Sequence, residues 1–483
     1  MIQKTHNFPF FSFVALLTII AISWLAGGCR KDEFNQDTDF KLKFSTDTVL
    51  FDTIFTSIGS TTRQFVIRNK SKQKINISSI SLAGKEQSPF RINVDGNSGF
   101  AFQDIEIGAN DSAFVFVKVT IDPNDQTLPF INSDSILFTT NGNKQKVFLV
   151  AWGQDAYFYN HITLKGTNNF LADKPHVVYG NLTLDTSAIL NISPGAQLCF
   201  HQNSYLVAHK DSRIKAEGNR ENPIVFRGNM FAVFRPDKDT IPGQWGGLKL
   251  KALSGNHLFA NCLILNAKVA IDADSCIVEN ALTLYNSRIS NMVNFGLKLK
   301  NTNIVAANCE ISNCGGYLLS VTVGSEYDFR NCTFANYWPF TARKVSSVQI
   351  ANFSYNDTKK YIYPLNAVYF GNCIIDSYNG EELEINRDKT ANFGLTFEKC
   401  LISSDTVGMQ ANYFVGCEFN KKIKFENVQK LNFQLDTLSA AKDFGALSII
   451  QSSALDLFTD IKGVRRDLDA NPDAGAYERK EIR

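Results

Sequence analysis

Four charged residues, Arg288, Glu310, Asp328 and Arg330, recur about one short repeat apart and are the only concentration of charge in the repeat's outward positions. Arginine beside a carboxylate can hold polar or acidic sugar groups, or it can form an exposed salt-bridge network. Four aromatics, Tyr337, Trp338, Tyr361 and Tyr363, stand in stretches that interrupt the surrounding pattern, and rings flanked by polar residues suit the apolar face of a sugar. Bond-breaking chemistry on a polysaccharide needs more: a base to take a proton α to a carboxylate, or paired carboxylates. No such pair recurs here. The five His beyond the first segment, His161, His176, His201, His209 and His257, share no usable spacing. Cys309 and Cys314 are too far apart for a Cys-x-x-Cys, so neither a metal nor a cofactor is expected.

The elements that must position these residues are written as a repeat. It reads Phe259-Ala-Asn261-Cys262-Leu-Ile264, Leu284-Tyr-Asn286-Ser287-Arg-Ile289, Ala306-Ala-Asn308-Cys309-Glu-Ile311 and Phe329-Arg-Asn331-Cys332-Thr-Phe334. It continues as Ile350-Ala-Asn352-Phe353-Ser-Tyr355, Phe370-Gly-Asn372-Cys373-Ile-Ile375, Phe397-Glu-Lys399-Cys400-Leu-Ile402 and Phe414-Val-Gly416-Cys417-Glu-Phe419. Self-similarity at roughly 20 to 25 residues marks a solenoid. Alternating apolar and polar positions rich in Phe and Ile mark strands, not helices. The spacing therefore predicts a parallel β-helix, one coil per repeat, stacked at about 4.8 Å and right-handed by the usual sense of parallel crossovers.

In such a coil the Phe, Cys and Ile columns point inward. Asn261, Asn286, Asn308, Asn331, Asn352 and Asn372 form a ladder at a coil turn, because Asn tolerates the left-handed conformation and stacked amides bond from coil to coil. A second column, Asn266, Asn291, Asn313 and Asn336, lies four residues after each Cys slot. The alternative is an Asn array that binds glycan or metal. The inward Cys read as small buried hydrophobes.

Residues 1–28 read as a targeting segment, with Lys4, an apolar run from Phe8 to Trp24, and Leu25-Ala-Gly-Gly28 before Cys29. Residues 29–39 read as a polar tether. Residues 40–156 carry short alternating strands punctuated by Gly, Asn, Asp and Pro, which suits an Ig-like β-sandwich without the Cys–Trp–Cys set of a true immunoglobulin domain. Residues 157–483 hold the β-helix, with a C-terminal cap over about 430–483. A net charge of +2 gives no argument for nucleic acid.

Several stretches resemble known proteins. Leu25-Ala-Gly-Gly-Cys29 resembles a bacterial lipobox, and Arg30-Lys-Asp-Glu33 resembles the export tag of Bacteroidetes-type surface lipoproteins. The resemblance implies diacylation of Cys29 and an outer-membrane location, facing the exterior, with the periplasmic face as the alternative. Leu50-Phe-Asp-Thr-Ile54, Phe114-Val-Phe116 and Ala151-Trp-Gly-Gln-Asp155 resemble the N-terminal sandwich of such lipoproteins. Ile192-Ser-Pro-Gly195, Gly218 to Phe226 and Trp245-Gly-Gly247 resemble the opening coils of pectin-lyase-like right-handed β-helix proteins. Gly463-Val-Arg465-Arg466 and Asp473-Ala-Gly-Ala-Tyr-Glu478 resemble the closing element of bacterial β-helix surface proteins, where acids and Arg cap the last strand edge. Asp-Ser/Thr-aliphatic tripeptides at Asp47, Asp52, Asp111, Asp134, Asp239, Asp405 and Asp436 resemble the O-glycosylation sequon of Bacteroidetes.

The expected class is thus all-β, a sandwich followed by a right-handed parallel β-helix. The expected function is a lipid-anchored surface protein that binds glycans or other surface polymers through Tyr337, Trp338, Tyr361, Tyr363, Arg288, Glu310 and Arg330. The alternatives are a polysaccharide lyase or glycoside hydrolase on the same fold, and a purely architectural envelope protein. Oligomeric state is left open.

Overall fold

Alternation of large apolar and polar residues dominates from Phe40 onward, and the chain answers it with strands almost throughout. The computed structural model describes residues 33–480, apart from 57–58, 61, 124–129, 230–240, 325, 357, 406–409 and 469–470. The targeting segment, Cys29 and Asp239 lie outside the described residues. Two units divide between Gln154 and Asp155.

The first unit holds two five-stranded sheets. One contains Arg63–Arg68, Ser112–Val119 and Phe90–Val94. The other contains Thr48–Phe55, Asn143–Gln154, Phe130–Thr140, Ile75–Leu82 and Ala101–Ile107. All these pairings are antiparallel except that of Thr48–Phe55 with Asn143–Gln154. Every second residue, such as Phe65, Ile67, Val115 and Val117 from one sheet and Ile77, Phe138, Val147 and Leu149 from the other, enters one shared core.

The second unit is a stack of parallel coils, consistent with a parallel β-helix. A coil has three strands, for example His257–Ala260, Cys262–Leu265 and Val269–Asp274, which belong to a first, second and third face. Each pairs with the matching strand of the next coil: Phe259 with Leu284, Leu263 with Arg288, Ile271 with Leu297. The inward columns fill one continuous core. On the first face Phe329, Phe370, Phe397 and Phe414 stack ring on ring, with centroids 4.9, 4.6 and 5.3 Å apart.

The turn from first to second face is made by a single left-handed residue. Asn261, Asn286, Asn308, Asn331 and Asn372 have φ of 49, 48, 51, 48 and 52°, followed by Lys399 at 52° and Gly416 at 61°. A residue with a Cβ is strained there, and the short polar Asn side chain is the one that tolerates it. Asn352 is not in this ladder. Phe329 pairs directly with Phe370, which makes Asn372 the neighbour of Asn331. The similar text at Ile350 is a third-face strand, Val348–Ala351, that then leaves the coil as an antiparallel hairpin, Phe353–Asn356 with Lys359–Ile362. Asn352 is buried at the root of that hairpin, its Oδ1 accepting from the Asp388 amide at 2.7 Å. Letters alone repeat at Asn352; the backbone path does not.

The C-terminal segment also departs from expectation. Instead of closing the last open edge, residues 425–480 run back along the second face. The outward column there is Leu263, Arg288, Glu310, Thr333, Ile374 and Leu401, and beside it stand Ala307 and Ala335. Leu435, Ala441 and Ala474 cover Ile374 and Leu401, Phe433 and Tyr477 cover Ala335, and Ile450 and Leu457 cover Ala307. An apolar flank of this length would otherwise face water, so its burial outweighs capping the end. Arg466 is fully buried, donating to Glu478 Oε2 at 3.1 Å, Asn308 Oδ1 at 3.2 Å and the Gly475 carbonyl at 2.9 Å. The Arg465 side chain, by contrast, pairs with Asp467 at the surface, its Nε donating to Oδ1 at 2.8 Å.

Candidate functional site

Where the third face turns toward the first, three successive coils end at Asp274-Ser275, Lys300-Asn301 and Thr322-Val323. The hairpin at 353–362 stands over these ends, and a cleft of about 800 Å³ opens between them. Ser275, Lys300, Asn301, Tyr355, Tyr361 and Tyr363 line it. Tyr355 is 64 % exposed and Tyr363 49 %. The floor is tightly turned: a Cβ on Gly324, whose φ is +65°, would come within 2.0 Å of Asn301 Oδ1.

The hairpin's two sides differ by strand alternation. Ser354 lies opposite Tyr361, and Lys359 shares their side, its Nζ 5.1 Å from the Tyr361 ring centroid. Phe353 and Lys360 take the other side, where Lys360 Nζ sits 4.0 Å from the Phe353 ring and 2.6 Å from Asp388 Oδ2. The hydrogen bond from Lys360, with others from Thr390, holds the Asp388 carboxyl well below the usual carboxylate range. Tyr355 shares that side with Phe353 and Lys360, its ring 5.7 Å from that of Phe353, so Lys360 tethers the hairpin on the side opposite Tyr361. On the floor, Lys300 Nζ is 3.7 Å from Asp274, whose other oxygen accepts from Ser275 Oγ at 2.8 Å. Three phenols, an ammonium, a hydroxyl and amides around one groove can stack on a flat polar molecule and bond its edges.

Of the residues singled out in the sequence, Tyr361 and Tyr363 come together here. Arg288, Glu310, Arg330 and Tyr337 do not. Glu310 is fully buried, accepting from Arg288 Nε at 2.8 Å, from Ser312 Oγ at 2.8 Å and from the Tyr477 hydroxyl. Arg288 also donates to the Leu431 carbonyl at 2.6 Å, and the Glu310 charge raises its pKa further. Burial pushes the Tyr477 phenol well up, so it stays a donor. Arg330 is held by Asp328 at 2.9 Å and by the Ile449 carbonyl and Ser452 Oγ of the C-terminal segment. Tyr337 donates to Asp376 and packs against Phe425 and Phe433. These four are an internal clasp, not an outer surface, because the C-terminal segment covers the flank they project from. Trp338 is separate from both groups. Its indole donates to Thr341 Oγ1 at 3.0 Å, packs on Phe340, and lies 3.1 Å from where a Cβ on Gly315 would be.

Sequence reading missed Tyr355, Lys300, Ser275 and Asn301. Tyr355 stood in an inward slot of the supposed repeat, and the signal that frees it is the break at Asn352. The three floor residues had no signal, since only coil stacking places Ser275 beside Lys300 and Asn301. The Asn columns bond within the protein: Asn261 to the Gly218 carbonyl at 3.0 Å, Asn308 to Asn286 at 3.1 Å, Asn372 to the Ala446 backbone at 2.8 Å, and Asn291 to Asn266 at 3.3 Å. Asn331 is the exception, buried with no partner for its amide. Among the described residues no group of three or more His, Cys, Asp or Glu could hold a metal ion.

No protein family and no curated protein matches this chain. Among solved structures, a family 123 glycoside hydrolase from Clostridium perfringens is similar at 9 % identity and a TM-score of 0.20, over 26 % of this chain and 30 % of that one. A PapD-like domain of human CEP192 is similar at 10 % identity and a TM-score of 0.17, over 26 % of this chain and 92 % of that domain. A protein of unknown function from Porphyromonas gingivalis W83 is similar at 10 % identity and a TM-score of 0.18, over 26 % and 59 %. At these scores the similarities carry no functional argument.

Proposed function

We propose that this is a lipid-anchored outer-membrane protein that binds a glycan or similar surface polymer in the tyrosine cleft. The cleft carries the reading: three partly exposed tyrosines and Lys300 line one groove over three stacked coils. Its chemistry is that of recognition, stacking on a ring's apolar face while hydroxyl, amide and ammonium groups bond the rim. The finer fold belongs to the same reading. The two sheets of the first unit form an Ig-like sandwich that spaces the binder from the membrane, and the coils wind right-handed as in pectin-lyase-like proteins. Lipidation of Cys29 supplies the anchor. No helix among the described residues is long and apolar enough to cross a membrane.

Two experiments test it. The full chain, screened on an array of neutral and acidic glycans, should bind at least one class, and Tyr361→Ala should weaken that binding. Array binding untouched by Tyr361→Ala and Tyr363→Ala would move the site elsewhere. Cys29→Ser should shift the protein from membranes to the soluble fraction; continued membrane association would remove the lipid anchor.

A further inference from the structure

The inward Cys column ends in a pair of unequal thiols. Cys309, Cys332, Cys373 and Cys400 are fully buried, and Cys417, in the last coil, is half-buried. The register is unbroken: Thr333 pairs with Ile374, Ile374 with Leu401 and Leu401 with Glu418, so each Cys, one residue earlier, stacks on the next. The thiols along the column donate to backbone carbonyls, Cys332 to Ala306 and Cys373 to Phe329, each at 3.5 Å. At its end the Cys400 backbone amide donates to Cys417 Sγ at 3.4 Å, and the Cys400 thiol donates to the Phe370 and Glu398 carbonyls, each at 3.4 Å. Hydrogen bonding from Cys400 holds the Cys417 thiol below its ordinary pKa, whereas burial pushes the Cys400 thiol well up. Adjacent parallel strands put the two Cα atoms about 4.8 Å apart, inside the roughly 4.4 to 6.8 Å window of a disulfide.

We propose that Cys400 and Cys417 are a redox pair, with Cys417 the thiol that meets an external disulfide and Cys400 the thiol that resolves it. The Cys417 thiolate attacks one sulfur of the external disulfide, its S–S bond breaks, and the departing thiolate takes up the proton Cys417 gave to solvent. Cys400 then loses its proton and attacks Cys417 Sγ. A Cys400–Cys417 bond forms and a second external thiol leaves. Two protein thiols are oxidised and one external disulfide is reduced to two thiols, so atoms and electrons balance. The product ties the last two coils together. Cys309, Cys332 and Cys373 have the same stacking but are fully buried.

The test is peptide-resolved mass spectrometry on the folded full chain, which separates Cys29 from the column. A brief iodoacetamide pulse should label Cys417 about tenfold or more faster than Cys373, since rate follows exposure and thiolate character. Glutathione disulfide should first give an adduct on Cys417 and then a Cys400–Cys417 cross-linked peptide. Cys400→Ser should stop the sequence at the adduct, and Cys417→Ser should protect Cys400. Equal labelling of Cys417 and Cys373, an adduct that persists with Cys400 intact, or oxidation of Cys400 in Cys417→Ser would each overturn the proposal. If the variants unfold, the order of adduct and cross-link in the unmodified protein decides by itself.

Discussion

The second face of the coil stack and the tyrosine cleft are both made of residues that project outward, yet one is sealed and the other open. On the second face, Arg288, Glu310 and Tyr337 meet a segment from the far end of the chain and are spent on it. At the cleft, Lys360 and Asp388 hold the hairpin on the side opposite Tyr361, while Tyr355 and Tyr363 stay exposed and Tyr361 is half-buried. Projecting from a strand therefore does not make a side chain available. What covers the strand decides.

The comparison breaks most severely at Arg466. Arg466→Ala should cost at least about 3 kcal/mol, because Glu478, Asn308 Oδ1 and the Gly475 carbonyl would each be left buried without their donor, at about 1–3 kcal/mol apiece. A urea melt measures it, and a loss under about 1 kcal/mol would mean the segment is only loosely docked. Next in size is a contrast within the turn column. Asn308→Ala should cost about 1–3 kcal/mol, since its amide serves Asn286, the Thr459 carbonyl and Arg466. Asn331→Ala, which removes an amide bonded to nothing, should cost only the strain of Ala in the left-handed corner, about 1 kcal/mol, and so less than Asn308→Ala in the same melts. Equal losses at both positions would show that the turn conformation, not the side-chain bond, is what Asn supplies.

On the open side the effects move from stability to binding. Tyr361→Ala should weaken glycan binding several-fold, about 1 kcal/mol by analogy with aromatic contacts, while leaving the melt nearly unchanged. Trp338→Ala, outside the cleft, should leave binding intact; a loss there would point to a second contact surface. The smallest effect is pH-dependent. Asp388 has a folded pKa below its ordinary value of 3.8, so its pairing with Lys360 is fully present above that value and fades as pH falls below it. Hairpin amide protection should decline below about pH 4 in the native protein and be already reduced in Lys360→Met. Protection that falls equally in both would assign the change to other groups.

Much of this architecture was legible as text. Seven of the eight Phe–Asn–Cys sentences keep an apolar residue, a turn residue and an inward Cys or Ser before an outward position, and coil after coil follows from a steric rule: only Asn, Gly and an occasional Lys occupy the left-handed corner. The inward stack from Phe329 to Phe414 follows from the same period. Asn352 was misread because self-similarity reports residue types, while a coil is defined by where the backbone goes next; Val348–Ala351 already belonged to another face.

The sequence by itself determined the strand period, the corner residues and the buried columns, since each depends on near neighbours and on the chemistry of single residues. It also marked Tyr361 and Tyr363 as rings the repeat did not need. Only the tertiary structure decided that residues 425–480 return along the second face, because that choice pits the burial of Ala307, Ile374 and Leu401 against capping the last coil. The same holds for the cleft. Ser275, Lys300 and Tyr363 are far apart in sequence and meet only because stacked coils bring strand ends into line and a hairpin folds back over them.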